Sequence, residues 1–351
     1  MTDEWPDRPR LLHRAAVDRH VALAVKVALT AALLGFLAYK ADWQEVGGLL
    51  LGASPAWVVL GALLGFPSLV IAGLRWRQIS AYLGVPLPWG FAVLGSMESI
   101  TFNLLLPGSI GGDVLRVIKV TRARGKLRRN FAGVVFDRAV NLGVLLALCL
   151  VLLAFSFLGP GPALGPGSAR LTVVLAGLAG AVAVGSAALL GALRLRSLRR
   201  FRLARELVRF ATLFAMVFLR PKRFVTVGLL SLLGQGLVVA MFAAAAKSLG
   251  LDGLSLLQLS IGTTLALLAS SLPLTIAGLG LREGAAIWAL MAFGVDQALA
   301  YSVAFLFGAM LIFQGVPGLA VWVGGLAKLP RRASSSSNRQ VGEHRGGQPA
   351  G

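Results

Sequence analysis

Pro107-Gly108-Ser109-Ile110-Gly111-Gly112-Asp113-Val114-Leu115-Arg116 returns later in the chain as Pro273-Leu274-Thr275-Ile276-Ala277-Gly278-Leu279-Gly280-Leu281-Arg282. Aligned without a gap, the two stretches share Pro, Ile, Gly, Leu and the final Arg. Ser faces Thr, and Gly111 faces Ala277. Each follows a long apolar run and ends on an arginine in or beside lipid. Paired Pro/Gly-broken hydrophobic segments at corresponding places in two halves point to a transporter's binding site.

The surrounding chain sets the context. Of 351 residues, 57% are hydrophobic and 14% charged, with a mean hydropathy of +0.79. Apolar residues come in blocks of about 20, the length that spans the hydrocarbon layer. Six blocks read as full spans: 21–39, 55–74, 131–157, 171–193, 224–246 and 298–324. The first lacks a convincing small-residue cleavage site before Lys40 and reads as a retained span rather than a signal peptide. The net charge of +20 does not point to nucleic acid, because the basic residues cluster between apolar blocks, where they fix topology and attract anionic headgroups. Cys149 is the single cysteine, and His13, His20 and His344 lie in polar termini. No metal centre, disulfide framework or cofactor is expected.

The interrupted regions 89–118 and 257–293 read as re-entrant hairpins that enter and leave on one side. Segments 1–20, 75–88, 116–129, 194–223 and 328–351 then share a face and hold 28 of the 34 Lys and Arg, as the positive-inside rule requires. The expected fold is an all-α polytopic membrane protein with six full spans and two re-entrant helical hairpins in two inverted-topology repeats. A cytoplasmic segment 1–20 precedes the first repeat, 21–157. A Gly/Pro linker, 158–170, leads to the second repeat, 171–327, and a disordered cytoplasmic tail, 328–351, follows. Both termini are expected in the cytoplasm and the chain in the cell membrane. Segment 197–219 interleaves arginines with Phe201, Phe210, Phe214 and Phe218. It reads as a basic interfacial helix or as a basic loop leading into the next span.

Broken helices at membrane depth are tolerated only inside protein or beside a water-filled cavity. Pro107, Gly108 and Gly112 therefore imply an enclosed site, with Asp113 as N-cap of a restarted helix. Arg116, at i+3, is close enough to pair with Asp113 in the empty site. Pro273, Gly278 and Gly280 form the second break, followed by Arg282-Glu283. Glu98, Asp137 and Arg138 are further ionisable residues at membrane depth, where charges are costly and paired. Arg116, Arg138 and Arg282 are thus candidates to bind an anionic headgroup. Asp113, Glu283, Asp137 and Glu98 would hold those arginines in place. The plainer readings put Arg116 at the surface, heading its basic run, and let Arg138 snorkel beside Asp137.

These motifs, the basic run Lys119–Arg129, Val134-Val135-Phe136-Asp137-Arg138 and Ala277-Gly278-Leu279-Gly280-Leu281-Arg282-Glu283-Gly284 resemble the lysylphosphatidylglycerol synthase transmembrane-region, or flippase-like domain, family. The resemblance runs over about 21–326. It implies a membrane module that moves aminoacylated phospholipid between leaflets, with Pro107, Gly108, Gly112, Asp113, Arg116, Asp137, Arg138, Gly278, Gly280, Arg282 and Glu283 at motif positions. Two features depart from the family pattern. The 24-residue tail cannot be its aminoacyl-transfer domain, and Pro273-Leu274-Thr275 stands where Pro-Gly often precedes the second turn.

No nucleophile elbow, P-loop or paired histidines occur in the sequence, so the chain is not expected to be an enzyme. The leading expectation is translocation of an anionic phospholipid or polyprenyl-phosphate lipid. The alternative is a non-transporting subunit or assembly factor working with a separate lipid-modifying enzyme or glycosyltransferase. A lipid-phosphate enzyme ranks below both.

Overall fold

Long apolar runs free of internal breakers give helices, and Gly, Pro and capping side chains end them. The computed structural model of the chain describes residues 8–106, 111–158, 202–272 and 274–327, together with Gly177. Twelve helices occur among the described residues: α1 (Arg8–Lys40), α2 (Trp43–Leu51), α3 (Pro55–Tyr82), α4 (Trp89–Leu105), α5 (Gly111–Arg124), α6 (Leu127–Leu158), α7 (Arg202–Phe218), α8 (Pro221–Ser248), α9 (Leu256–Ser271), α10 (Leu281–Ala292), α11 (Gln297–Phe313) and α12 (Gly315–Val323). Five stretches are long and apolar enough to cross a membrane: 23–40 of α1, α3, 127–152 of α6, α8, and α11 with α12. At 1.5 Å per residue the 28 residues of α3 reach about 42 Å, more than the hydrocarbon thickness. The expected span 171–193, the linker 158–170 and the tail 328–351 lie almost wholly outside the described residues.

Ionisable and polar residues are buried in the bundle beside its apolar core, while leucines cover the outside. Glu98, Arg116, Asp137, Ser231, Gln235, Arg282 and Glu283 are buried, while Leu63, Leu229, Leu232 and Leu233 are exposed. That arrangement is what a lipid solvent selects, since ionisable groups must pair in the interior while leucines meet acyl chains at no cost. The apolar core groups Met241 and Phe242 of α8 with Ile287 and Leu290 of α10 and Tyr301 and Phe307 of α11.

Helices α3 and α8 pack antiparallel along their lengths. At one end the Ser54 N–H donates to the Ser248 carbonyl at 2.7 Å. At the other, the Arg223 guanidinium carbon stands 4.8 Å from the centroid of the Tyr82 ring. Helices α4 and α5 form a hairpin. Phe91 and Ala92 near the start of α4 share a cluster with Trp76 and with Val120 near the end of α5. That hairpin opens at the Tyr82 end of α3. In the second hairpin, Leu257 and Ile261 of α9 pack with Ala289 and Phe293 at the end of α10. It opens at the other end, where α8 finishes.

Two boundaries differ from the hydropathy reading. Helix α3 continues past residue 74 to Tyr82, because Arg75-Trp76-Arg77-Gln78 lowers hydropathy without breaking a helix. The stop comes only at Gly84, whose φ is +74°, with Pro86 and Pro88 behind it. Helix α1 extends back to Arg8, through a segment read as polar and separate. Segment 197–219 holds a distinct helix, α7, cut from α8 by Pro221 at the first helical position. Phe210, Phe214 and Phe218 meet Phe136 of α6 edge-on, with centroids 5.5, 5.5 and 5.9 Å away.

Glycines set the closest helix contacts. A methyl group at Gly318 of α12 would overlap the Met97 carbonyl oxygen of α4. Gly236, exposed on α8, has nothing within 4 Å of such a methyl. Gly318→Val is therefore expected to lower stability by about 1–3 kcal/mol, the usual cost of overpacking. Gly236→Ala should leave it unchanged or raise it slightly. Chemical unfolding in detergent micelles compares the two, and equal stability of both variants would refute the close α4–α12 contact.

Candidate functional site

The centre of the site is a carboxylate shared by two arginines. Asp137, on α6, accepts from Arg75 Nε of α3 at 2.7 Å, and its other oxygen lies 3.5 Å from Arg116 Nη1 of α5. Arg75 Nη1 also donates to Asn141 Oδ1 at 3.0 Å and to Ser231 Oγ of α8 at 3.3 Å. Gln235 Nε2 donates to the same Asn141 oxygen at 3.0 Å. Asp137 and Asn141 stand one turn apart, so both project from the same face of α6. The Arg116 guanidinium carbon sits 4.8 Å from the centroid of the Trp76 ring, a cation–π contact in a water-poor setting. Arg138 pairs with Asp113.

The first break is closed from α4. Asn103 Oδ1 accepts from the Gly112 N–H at 2.9 Å, satisfying a donor that the helix start leaves open. Gly112 is also required by contact, because a methyl group there would overlap the Ser99 carbonyl. Asp113 lies inside the first turn of α5 rather than capping it. Its partner is Arg138, not Arg116, so the expected i,i+3 pair is replaced by longer-range pairs across helices. Among the described residues Glu98 pairs with no arginine. It binds Lys119 Nζ at 2.5 and 2.8 Å, one turn of α5 beyond Arg116.

The second break is built differently. Ala277, Gly278 and Gly280 take φ of +54°, +74° and +81°, a left-handed run that glycine adopts without strain. Glu283 then folds back: Oε2 accepts from the Gly280 N–H at 2.7 Å, while Oε1 accepts from Arg282 Nε at 2.9 Å and Nη2 at 2.5 Å. Both residues are buried, and Gly308 of α11 leaves them room, since a methyl there would stand 2.9 Å from Glu283 Oε1. The Ile276 N–H donates to Thr30 Oγ1 of α1 at 2.9 Å.

The expected residues thus fall into three groups. Asp113, Arg116, Asp137 and Arg138 come together; Arg282 with Glu283 forms a self-contained pair; Glu98 binds Lys119. Pro107, Gly108 and Pro273 lie outside the described residues. Arg75, Asn141, Ser231, Gln235, Asn103 and Lys119 join the picture from the structure. For Arg75 a signal existed in the sequence, an arginine directly continuing an apolar run, but it was read as the start of a loop.

A cavity of about 210 Å³ lies between the halves. Arg75 and Asn141 line it from the first half, Gln235 and Ser231 from α8, and Ser270 and Ser271 from the tip of α9. The buried Oε1 of Gln235 and the buried Nε of Arg116 have no hydrogen-bond partner among the described residues. An oxygen-rich ligand in this cavity would meet donors already oriented by protein.

The sequence matches the family described as the lysylphosphatidylglycerol synthase TM region over residues 23–318. The chain belongs to that family. It is also similar to the glycosyltransferase AglD of Haloferax volcanii, 28% identical over 144 residues, which is 41% of this chain and 23% of that protein. The chain spans under a quarter of that relative's length at matched positions.

In this member of the lysylphosphatidylglycerol synthase TM family, Asp137 holds two arginines from two other helices. Removing one partner of a buried ion pair leaves an uncompensated charge and costs about 3–5 kcal/mol. Asp137→Asn is expected to lose stability in that range, while Asp252→Asn, in an exposed loop, should lose almost none. Denaturant midpoints in micelles compare them; a midpoint for Asp137→Asn equal to wild type would show that the arginines do not depend on that carboxylate.

Proposed function

We propose that the chain translocates an anionic lipid, an aminoacyl-phospholipid or a polyprenyl-phosphate-linked carrier, between leaflets of the cell membrane. The headgroup passes through the polar cavity beside Arg75 while the acyl chains stay in lipid. The observation that carries this reading is a carboxylate shared by two buried arginines: Asp137 holds both Arg75 and Arg116, and Arg75 lines the polar cavity. Buried guanidinium groups beside such a cavity favour a phosphodiester anion. Arg282 is neutralised within its own pair, so its part in the reading is to shape the second turn at the far end of the route.

Two hairpins that open at opposite ends of the bundle support the re-entrant, inverted-repeat topology, in which rocking of one half against the other exposes a central site alternately. The basic segments support a cytoplasmic position for both termini, and this reading assigns the chain no covalent chemistry. Reconstituted liposomes with a fluorescent phosphatidylglycerol in one leaflet, bleached from outside, test the proposal. Wild type is expected to equilibrate the probe. Arg75→Ala and Arg116→Ala, at matched levels of folded protein, should slow it at least tenfold, the size of a lost charge-assisted contact of about 1.4 kcal/mol or more. Full-speed translocation by both variants would overturn the assignment of the site.

The likeness to a glycosyltransferase favours a second reading, a membrane subunit that presents a lipid-linked substrate to a separate enzyme. It expects no lipid movement by the purified chain and a glycosyltransferase or lipid-modifying enzyme bound to it stoichiometrically.

A further inference from the structure

The neutral polar groups that line the central cavity have spent their protons elsewhere. Four serines line it: Ser68 of α3, Ser231 of α8, and Ser270 and Ser271 at the tip of α9. Each donates to a carbonyl of its own helix. Ser68 reaches Gly65 O at 2.7 Å and Ser231 reaches Val227 O at 3.0 Å, while Ser270 and Ser271 both reach Leu267 O at 2.8 Å. A hydroxyl has one proton, so what each serine has left to offer is an acceptor. The amides obey the same rule. A guanidinium only donates, so Asn141 turns Oδ1 to Arg75; that oxygen only accepts, so Gln235 turns Nε2 to it. Gln235 Oε1 is the atom left over. The residue is 6% exposed, and this oxygen has no hydrogen-bond partner among the described residues.

A buried acceptor is costly until a donor reaches it. The oxygens of a phosphodiester carry no proton, so they suit Arg75 and leave Gln235 and the serines unanswered. The donors must come from the rest of the headgroup, as hydroxyls or as an ammonium. An ammonium fits poorly. Gln235 and Arg75 share Asn141, so a cation on Gln235 Oε1 would stand close to a guanidinium at low dielectric. Among the described residues no carboxylate lines the cavity to receive it. A hydroxyl donates without adding charge. We propose that this cavity selects a phosphodiester lipid whose headgroup carries free hydroxyls, as glycerol or a sugar does. Its phosphate meets Arg75, and its hydroxyls donate to Gln235 and to the serines of α9. This selectivity rests on the proposed entry of the headgroup into the cavity, and it ranks an aminoacyl headgroup, with its ammonium, below a glycerol or sugar one.

Native mass spectrometry of the full chain reads which lipid stays bound on release from micelles holding equal amounts of phosphatidylglycerol and phosphatidylmethanol with matched acyl chains. Both are phosphodiester anions, and only the first carries hydroxyls. Wild type should retain phosphatidylglycerol about tenfold over phosphatidylmethanol, the ratio that one hydrogen bond to a buried, otherwise unanswered acceptor supports. Gln235→Met should bring the ratio close to one. Ser270→Ala keeps Cβ and leaves the Asn141 contacts intact, and should lower the ratio about threefold. Gln44→Met, exposed on α2, should leave it unchanged. Equal retention of the two lipids by wild type would overturn the proposal, as would a preference that survives both Gln235→Met and Ser270→Ala. Displacement of phosphatidylglycerol by an equal amount of phosphatidylethanolamine would make the donor an ammonium and overturn it too. Retention is read without movement across a bilayer. A hydroxyl preference in a chain that moves no lipid keeps the site and removes translocation, whereas equal retention by a chain that moves lipid does the reverse.

Discussion

A carboxylate in a low-dielectric interior is stable only when cations and hydrogen-bond donors surround it, and Asp137 meets that demand from several helices at once. Its oxygens draw Arg75 from α3 and Arg116 from α5, and Arg75 in turn gathers Asn141 of α6 and Ser231 of α8. Four helices are thereby joined at this level, beside the apolar cluster that Ile79, Phe136 and Val227 form. In lipid this matters more than in water, because burying leucine against leucine gains little over burying it against acyl chains. The polar centre specifies the arrangement, and the leucine-covered exterior follows from it.

The two sequence repeats solve the same backbone problem with different chemistry. A broken helix leaves N–H groups that lipid cannot satisfy. In the first hairpin Asn103, arriving from the preceding helix, accepts from Gly112. In the second, Glu283, from the helix being started, reaches back to Gly280. The second solution places a carboxylate against the break, and Arg282 balances it at once. The first solution uses a neutral amide, which leaves Arg116 to seek its carboxylate elsewhere. One shared arginine position thus gives a locally neutral wedge in one half and part of a charged network in the other.

Much of this was legible in the sequence. Both breaks, the membrane-length helices, the ionisable residues at depth and the family all follow from patterns that hydropathy and spacing expose. What stayed hidden depends on distances across helices. Arg75 looked like the first residue of a loop because hydropathy registers its charge but not the unbroken helix propensity of 75–82. Asp113 and Arg116 looked like partners because i,i+3 neighbours are the only pairs a single helix reveals. Glu98 and Lys119 lie 21 residues apart on antiparallel helices, and no periodicity announces such a pair. Arg138 and Asp113 are likewise joined only by the packing of α5 on α6.

The distribution of charge also ranks the arginines by what they are available to do. Arg282 spends Nε and Nη2 on one carboxylate and is enclosed by Gly308, so an incoming anion would have to compete with Glu283. Arg75 lines the cavity while its Nε and Nη1 are held by Asp137, Asn141 and Ser231. Arg116 lies behind it, sharing Asp137, and raises the local potential without contacting the space itself. An anion entering the cavity would therefore be met first by Arg75, with Arg116 behind it. Such an arrangement holds the cluster together through Asp137 while Arg75 lines the cavity.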